Sequence, residues 1–153
     1  IIEACIRMSE RQHGALIVIE RSTGLEEYVQ SGTELNGDLS SDLLVQLFFP
    51  HTPLHDGAVI IRGVRVAAAR VFLPLSEDIR LDPTLGTRHR AAVGITEQSD
   101  GLSIVVSEES GGISVAYNAR LVMNVSTDQL RSVLQTQLLT VSSNASWRSL
   151  RVA

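Results

Sequence analysis

Lysine is missing from the chain altogether: all thirteen basic residues are arginine. That excludes Schiff-base chemistry and any phosphate loop built around a lysine. It leaves arginine forks and backbone N–H groups as the available phosphate holders. Cysteine is nearly missing too. Cys5 stands alone, so there is no disulfide framework and no cysteine-based metal site, as suits a reducing cytosol. No stretch reaches the about 18 consecutive apolar residues of a membrane helix, and no signal-peptide pattern is present. Positive charge is not in excess: 13 basic against 17 acidic residues give a net charge of −4. A general nucleic-acid or anionic-membrane surface is therefore excluded from the expectations. The signatures G-x-S-x-G, H-E-x-x-H and G-x-G-x-x-G are absent. "GTELNG" at 32–37 is the nearest thing to a Walker loop, but Asp38 follows where Lys-Ser/Thr is required.

What is present belongs to one globular domain. The chain has 153 residues, 44% of them hydrophobic and 20% charged, enough to bury a full core. There are no internal repeats or low-complexity tracts, and the glycosylation-like triplets at Asn124 and Asn144 read as chance matches. Ile1 stands where an initiator methionine would and helical periodicity is already under way, so a longer parent chain is expected. Residues 1–13 predict an amphipathic helix ending before Gly14, and "ALIVI" a strand buried on both faces. Residues 25–38 read mostly as loop. Ser40 or Ser41 is expected to cap a helix that stops before Pro50. "GAVII" and "VAAARVFLPL" predict two strands joined through "RGVR", with Gly63 at the first position of a II′ turn. Residues 87–99 predict a helix capped by Thr87. "LSIVVSEE" and "ISVAYNARL" predict a hairpin, and residues 127–139 a last helix capped by Thr127. The expected fold is α/β, a central mixed sheet flanked by helices, over residues 1–139, with 140–153 as a loosely ordered tail.

Three short stretches carry chemistry. In "GTRHR", Arg88, His89 and Arg90 fill the first turn of a helix with no acid among them. Each cation there opposes the helix dipole by roughly 0.3–1 kcal/mol, which makes sense if an anion occupies the same spot. Arginines splayed into solvent, or paired with Glu77, Asp78 or Asp82, are the alternative. "SEESGG" at 107–112 puts two carboxylates at the end of an apolar strand. They read as a solvated hairpin tip, or as a ligand for a hard divalent cation with Ser107 donating to a phosphate oxygen. In "LHDGAVII", Asp56 is either turn punctuation or the oxygen ligand and nucleophile-orienting group that phosphoryl transfer needs. Gly57 and Ala58 are small enough to let a ligand approach. His55 is a second metal ligand or a neutral loop residue, and His13 and His51 read as structural.

"HDGAVII", then "GTRHRAAVGITE", then "IVVSEESGGISVA" closely resemble the diadenylate cyclase domain. Its hallmark motifs stand here as Asp56-Gly57-Ala58 and Arg88-His89-Arg90. The resemblance covers residues 1 to 138, and "GALIVIER" and "LFFPHTPLHDGA" look most like the membrane-tethered bacterial type. It implies condensation of two ATP into cyclic di-AMP with release of two pyrophosphates. It also implies a divalent metal (Mn2+ or Mg2+, with Co2+ as a third option). Asp56 would be the catalytic and metal-associated aspartate beside the ribose 3′-hydroxyl, and Gly57, Ala58 and Leu73 would lie against the nucleoside. Thr87, Arg88 and His89 would cradle the triphosphate, with Arg90 completing that motif. Ser107 would contact phosphate, Glu109 would serve the metal, and Glu108 would read the adenine edge. A cytoplasmic domain tethered by preceding transmembrane helices, with no membrane contact of its own and no nucleic-acid partner, is implied as well.

The product is two-fold symmetric and each 3′-oxygen must attack the other nucleotide's α-phosphorus. The working unit is therefore expected to be a face-to-face homodimer. The alternative is an inactive nucleotide-binding regulatory module, which would be expected to have lost Asp56 or the Arg-His-Arg set. A hydrolase using Ser107, His55 and Asp56 is a poorer third reading, because no nucleophile elbow exists.

Overall fold

Strands with no polar face cannot turn a side to water, and three such stretches form the middle of one sheet. They are β1 (Ala15–Ile19), β3 (Ala58–Arg62) and β5 (Leu102–Val106); β1 and β5 are buried along their whole length. The computed structural model describes residues 1–139, so the tail at 140–153 lies outside the described residues. β1 pairs parallel with β3 and antiparallel with β5. β2 (Thr33–Asp38), β4 (Arg65–Val71), β6 (Ile113–Tyr117) and β7 (Arg120–Val122) complete a seven-stranded mixed sheet ordered β2-β4-β3-β1-β5-β6-β7. The expected α/β architecture is the observed one.

Helices cover both faces of the sheet. α1 (Ile2–Arg11), α3 (Ser41–Leu47) and α5 (Thr127–Leu139) pack on one side, where Met8, Phe48 and Leu134 meet Ile17, Ile61 and Ile104. α4 (Thr87–Gln98) and the short α2 (Glu26–Val29) cover the other, against Leu16, Val18, Ile60 and Val105. Adjacent strand residues point to opposite faces, which is why Leu16 and Ile17 belong to different cores.

Several local expectations are corrected. Residues 25–38 are not mostly loop, since they hold α2 and β2. β2, "TELNGD", is a polar edge strand that owes its form to pairing with β4 rather than to any apolar alternation. "ISVAYNARL" is two strands, broken where Asn118 and Ala119 both take positive φ (52° and 62°) in the turn between Tyr117 and Arg120. The cap of α4 is Gly86, with Thr87 the first helical residue. The cap of α5 is Ser126: its Oγ accepts from the Gln129 N–H at 3.1 Å, and Gln129 Oε1 accepts from the Ser126 N–H at 2.7 Å. That reciprocal pair satisfies two helix-end donors, which Thr127 could not do from inside the helix. Ser40 does cap α3, accepting from the Leu43 N–H at 3.0 Å. Gly63, at φ 62° in the two-residue turn between Arg62 and Arg65, has the sign a II′ turn requires.

Cys5 is fully buried on the inner face of α1, and burial pushes its thiol up to about 12. With almost no thiolate and no access, Cys5 is expected to resist iodoacetamide at pH 8 in the folded protein and react within minutes in denaturant. Intact-mass measurement reads both, and rapid alkylation without denaturant would contradict the burial.

Candidate active site

The N-terminus of α4 opens into two clefts. Its cap residue Gly86 has no side chain to satisfy the first N–H groups, and no acid lies in the first turn. The free N–H groups and the positive end of the helix dipole are therefore available to an anion. Arg88 and His89 follow at the second and third helical positions, and Thr87 and Arg88 line both clefts. One cleft, of about 280 Å³, runs from Thr87, Arg88 and His89 to Ser107, Glu108 and Glu109. The other, of about 340 Å³, runs from Thr87 and Arg88 past Leu73 to Asp56 and Gly57. Each is near the lower end of the roughly 300–1,000 Å³ typical of small-molecule sites. An extended nucleotide would need both.

Each functional group is set by its local chain. Asp56 is exposed at the mouth of β3, before Gly57 at φ 103°. A side chain on Gly57 would lie 3.0 Å from backbone atoms of Arg70 and Val71, so only glycine fits this conformation and this closeness. In the "SEESGG" turn, Ser107 Oγ accepts from the N–H groups of Glu109 (3.2 Å) and Ser110 (3.3 Å). Both bonds use its lone pairs, so its hydroxyl proton remains free to donate to a ligand. Arg88 pairs with Glu108 at 3.5 Å, and its Nε is buried without a partner.

His89 is 9% exposed and its Nε2 is likewise buried and unpartnered. Burial, then the neighbouring Arg88 charge, hold its pKa below the usual histidine range, against a smaller opposing pull from Glu109. A neutral imidazole is therefore presented to the first cleft. Unsatisfied buried polar atoms are rare, and two at one helix end fit a site that completes its hydrogen bonds with a ligand.

The structure brings Asp56, Gly57, Leu73, Thr87, Arg88, His89, Ser107, Glu108 and Glu109 around these joined clefts, and leaves three of the expected residues out. Ala58 is wholly buried in the core beneath α4, where its small size serves packing. Arg90 donates to the Asp82 carbonyl at 3.2 Å and lines neither cleft. His55 Nδ1 meets the Thr52 carbonyl at 2.7 Å and also lines neither. The expected alternative partners are met only in part: Arg90 does turn to Asp82, through its carbonyl, while Asp78 takes Arg80 and Arg88 takes Glu108. The sequence reading missed Asp82 and Asn124 in the first cleft, and Leu16 and Phe72 in the second. Only the proximity of Asp82 to Thr87 along the chain could have pointed to it.

No three His, Cys, Asp or Glu side chains converge into a metal-binding group among the described residues. Asp56 in one cleft and Asp82, Glu108 and Glu109 in the other are the carboxylates at hand, with Glu108 taken up by Arg88. A Mg2+-like ion is commonly held by one or two carboxylates while substrate phosphate oxygens supply further ligands. The donor set fits a divalent cation that arrives with a nucleotide.

Known proteins resemble this chain in sequence and in fold. The family model described as "DAC: DisA bacterial checkpoint controller nucleotide-binding" matches residues 2–121. A diadenylate cyclase of Listeria monocytogenes is 50% identical over 135 residues, covering 88% of this chain and 50% of its own length. The cyclic di-AMP synthase CdaA of Bacillus subtilis is 49% identical over 137 residues, covering 90% and 50%. The chain thus spans about half the length of these curated relatives. Among solved structures, a double mutant of DacA from Staphylococcus aureus superposes with a TM-score of 0.87 at 44% identity, covering 89% of this chain and 91% of that one. A protein of Bacillus cereus described as a hypothetical membrane spanning protein gives 0.78 at 48% identity, covering 81% and 61%.

Proposed function

The chain belongs to the diadenylate cyclase domain family, and from that premise we propose that it condenses two ATP molecules into cyclic di-AMP. The observation that carries this reading is the meeting of the two clefts at the uncapped start of α4, with Asp56 at one end and Glu109 at the other. The triphosphate would lie against the helix N-terminus, Arg88 and His89, and Arg88 would exchange Glu108 for phosphate oxygen. Ser107 would donate its free hydroxyl proton to the same group. The nucleoside would extend past Leu73 and Gly57, so that its 3′-hydroxyl reaches Asp56.

Asp56 then takes the 3′-hydroxyl proton. A bond forms between that 3′-oxygen and the α-phosphorus of the other nucleotide as the α–β bridge breaks and pyrophosphate leaves. A second such attack closes the ring. Asp56 at one end and Glu109 at the other would each offer a carboxylate oxygen to a divalent metal (Mn2+, Mg2+ or Co2+), with phosphate oxygens supplying further ligands; the metal would supply charge neutralisation on the phosphates. Asp56 of one copy must face the nucleotide of another, so the working unit is a homodimer about a two-fold axis. The relatives' length, with a membrane-spanning protein among the structural neighbours, supports a membrane-tethered parent chain presenting this domain to the cytoplasm. Among the described residues no helix is long and apolar enough to cross a membrane.

The test is incubation of the chain with ATP and each metal in turn, with mass-spectrometric detection of product. Cyclic di-AMP with two pyrophosphates per product is expected, at a specific activity that falls on dilution. ATP binding without product under every metal would favour the inactive regulatory module instead.

A further inference from the structure

α1 packs on the face of the sheet opposite α4, yet its C-terminal end touches both walls of the phosphate cleft. The helix closes with Gln12 in the left-handed region (φ 54°, ψ 41°). The N–H groups of Gln12 and His13 return to the carbonyls of Ser9 (3.1 Å) and Met8 (2.9 Å). This double-bonded terminus fixes where the chain goes next. On one side, Ser9 Oγ donates to the Gly111 carbonyl at 2.6 Å, across 102 residues of sequence. Gly111 sits at φ 76°, and a side chain there would come within 2.6 Å of the Ser9 carbonyl oxygen. The turn that carries Ser107, Glu108 and Glu109 is therefore seated directly on this helix end. On the other side, a Cβ on Gly14 would lie 2.6 Å from the Arg88 guanidinium carbon and from its Nη1. The absent side chain is the space that Arg88 occupies.

We infer that the Ser9–Gly14 junction is positioning machinery for the site, with Ser9 holding the acidic turn in place and Gly14 giving Arg88 its seat. This rests on the cyclase reading above, and it adds two residues that neither bind substrate nor belong to the motifs. Arg88 has a buried Nε without a protein partner, so what fixes the guanidinium is shape on the Gly14 side and Glu108 on the other. Crowding it from Gly14 should displace the phosphate-facing fork by a large fraction of an ångström. Misplacement of that order costs a bound reaction roughly one to two powers of ten.

The experiment is a set of variants of this chain, each assayed for turnover, for ATP affinity by calorimetry and for thermal stability. Gly14→Ala is expected to raise the KM and Kd for ATP about tenfold, and to have no further effect in an Arg88→Ala background. Ser9→Ala is expected to lower kcat severalfold at nearly unchanged Kd, and Ser9→Thr, which keeps the hydroxyl, to restore it. Arg7→Ala, on the same helix but paired with Asp42, should leave turnover unchanged. The inference is overturned if Gly14→Ala leaves affinity untouched, or if its effect adds in full to that of Arg88→Ala. It is equally overturned if Ser9→Ala and Ser9→Thr behave alike; the serine pair decides the matter if Gly14→Ala does not fold. Absence of product from the unaltered chain would instead count against the cyclase reading, and the calorimetric cycle at Gly14 and Arg88 would still decide the positioning role.

Discussion

Asp56→Asn is expected to leave ATP bound but uncondensed, with cyclic di-AMP formation reduced about 10²–10⁴-fold, the range that loss of a general base produces. The substitution keeps the shape of the side chain and removes its negative charge and its ability to take a proton. The local backbone should not change. It is set by Gly57 at φ 103° and by the close approach of Arg70 and Val71, neither of which involves the Asp56 carboxylate. The proposed phosphate contacts at Thr87, Arg88 and Ser107 are separate side chains that the substitution leaves intact, so ATP affinity should stay within about threefold of the parent. Product measured by mass and affinity by calorimetry separate the two effects. Near-full turnover in Asp56→Asn would remove Asp56 from the chemistry and leave it as turn punctuation.

Gly94→Ala is the second large effect, and here two principles pull in opposite directions. Position 94 is inside α4, where exchanging glycine for alanine ordinarily stabilises a helix by about 1 kcal/mol. Against that, a Cβ at 94 would sit 1.8 Å from the Pro74 carbonyl oxygen, 2.7 Å from its carbon and 3.0 Å from the Ser76 nitrogen. All three are backbone atoms of the segment that crosses α4. That segment cannot lift freely: the Ser76 N–H donates to the Arg90 carbonyl at 2.9 Å and Ser76 Oγ to Glu97 at 2.9 Å. Ser76 is thus tied to α4 on both sides of Gly94.

Overpacking against fixed backbone costs about 1–3 kcal/mol or more, which outweighs the propensity gain. At a net loss of about 2 kcal/mol, a fall in Tm of about 4–8 °C is expected for a chain of this length. Activity should fall with it, because Leu73 and Leu75 on the displaced segment line the cleft that holds Asp56. A rise in Tm would show that helix propensity had won and that the crossing segment moves aside at little cost.

How far the chain could be read without its structure depended on whether each signal was local. β1 and β5 were legible because short runs that are apolar throughout, or but for one serine, have few other places to go. β2 was not, because an edge strand with exposed side chains carries no apolar period; β4 alone makes it a strand. The break between β6 and β7 was hidden for a different reason. Asn118 is a familiar left-handed residue, but Ala119 beside it gives no hint of φ 62°. Cap positions slipped by one at Gly86 and Ser126, since Gly, Ser and Thr are all plausible caps and only hydrogen-bond geometry chooses among them.

The site divides in the same way. Residue type and order along the chain determined the chemistry on offer: an isolated aspartate before a glycine, basic residues at a helix start, and paired acids at a turn. None of these depends on how the elements are packed. Only the tertiary structure decided which of those residues share a cleft. Successive helix positions are turned by about 100° from one another, so Arg88 and His89 face the clefts while Arg90 reaches back to the loop at Asp82. That division follows from how α4 lies on the sheet. The same docking buries Ala58 as packing, and the terminus of α1 on the opposite face brings Ser9 and Gly14 against the acidic turn and Arg88. Contacts across 102 residues carry no periodicity to read; this one exists because the end of α1 and the turn between β5 and β6 lie at the same end of the sheet.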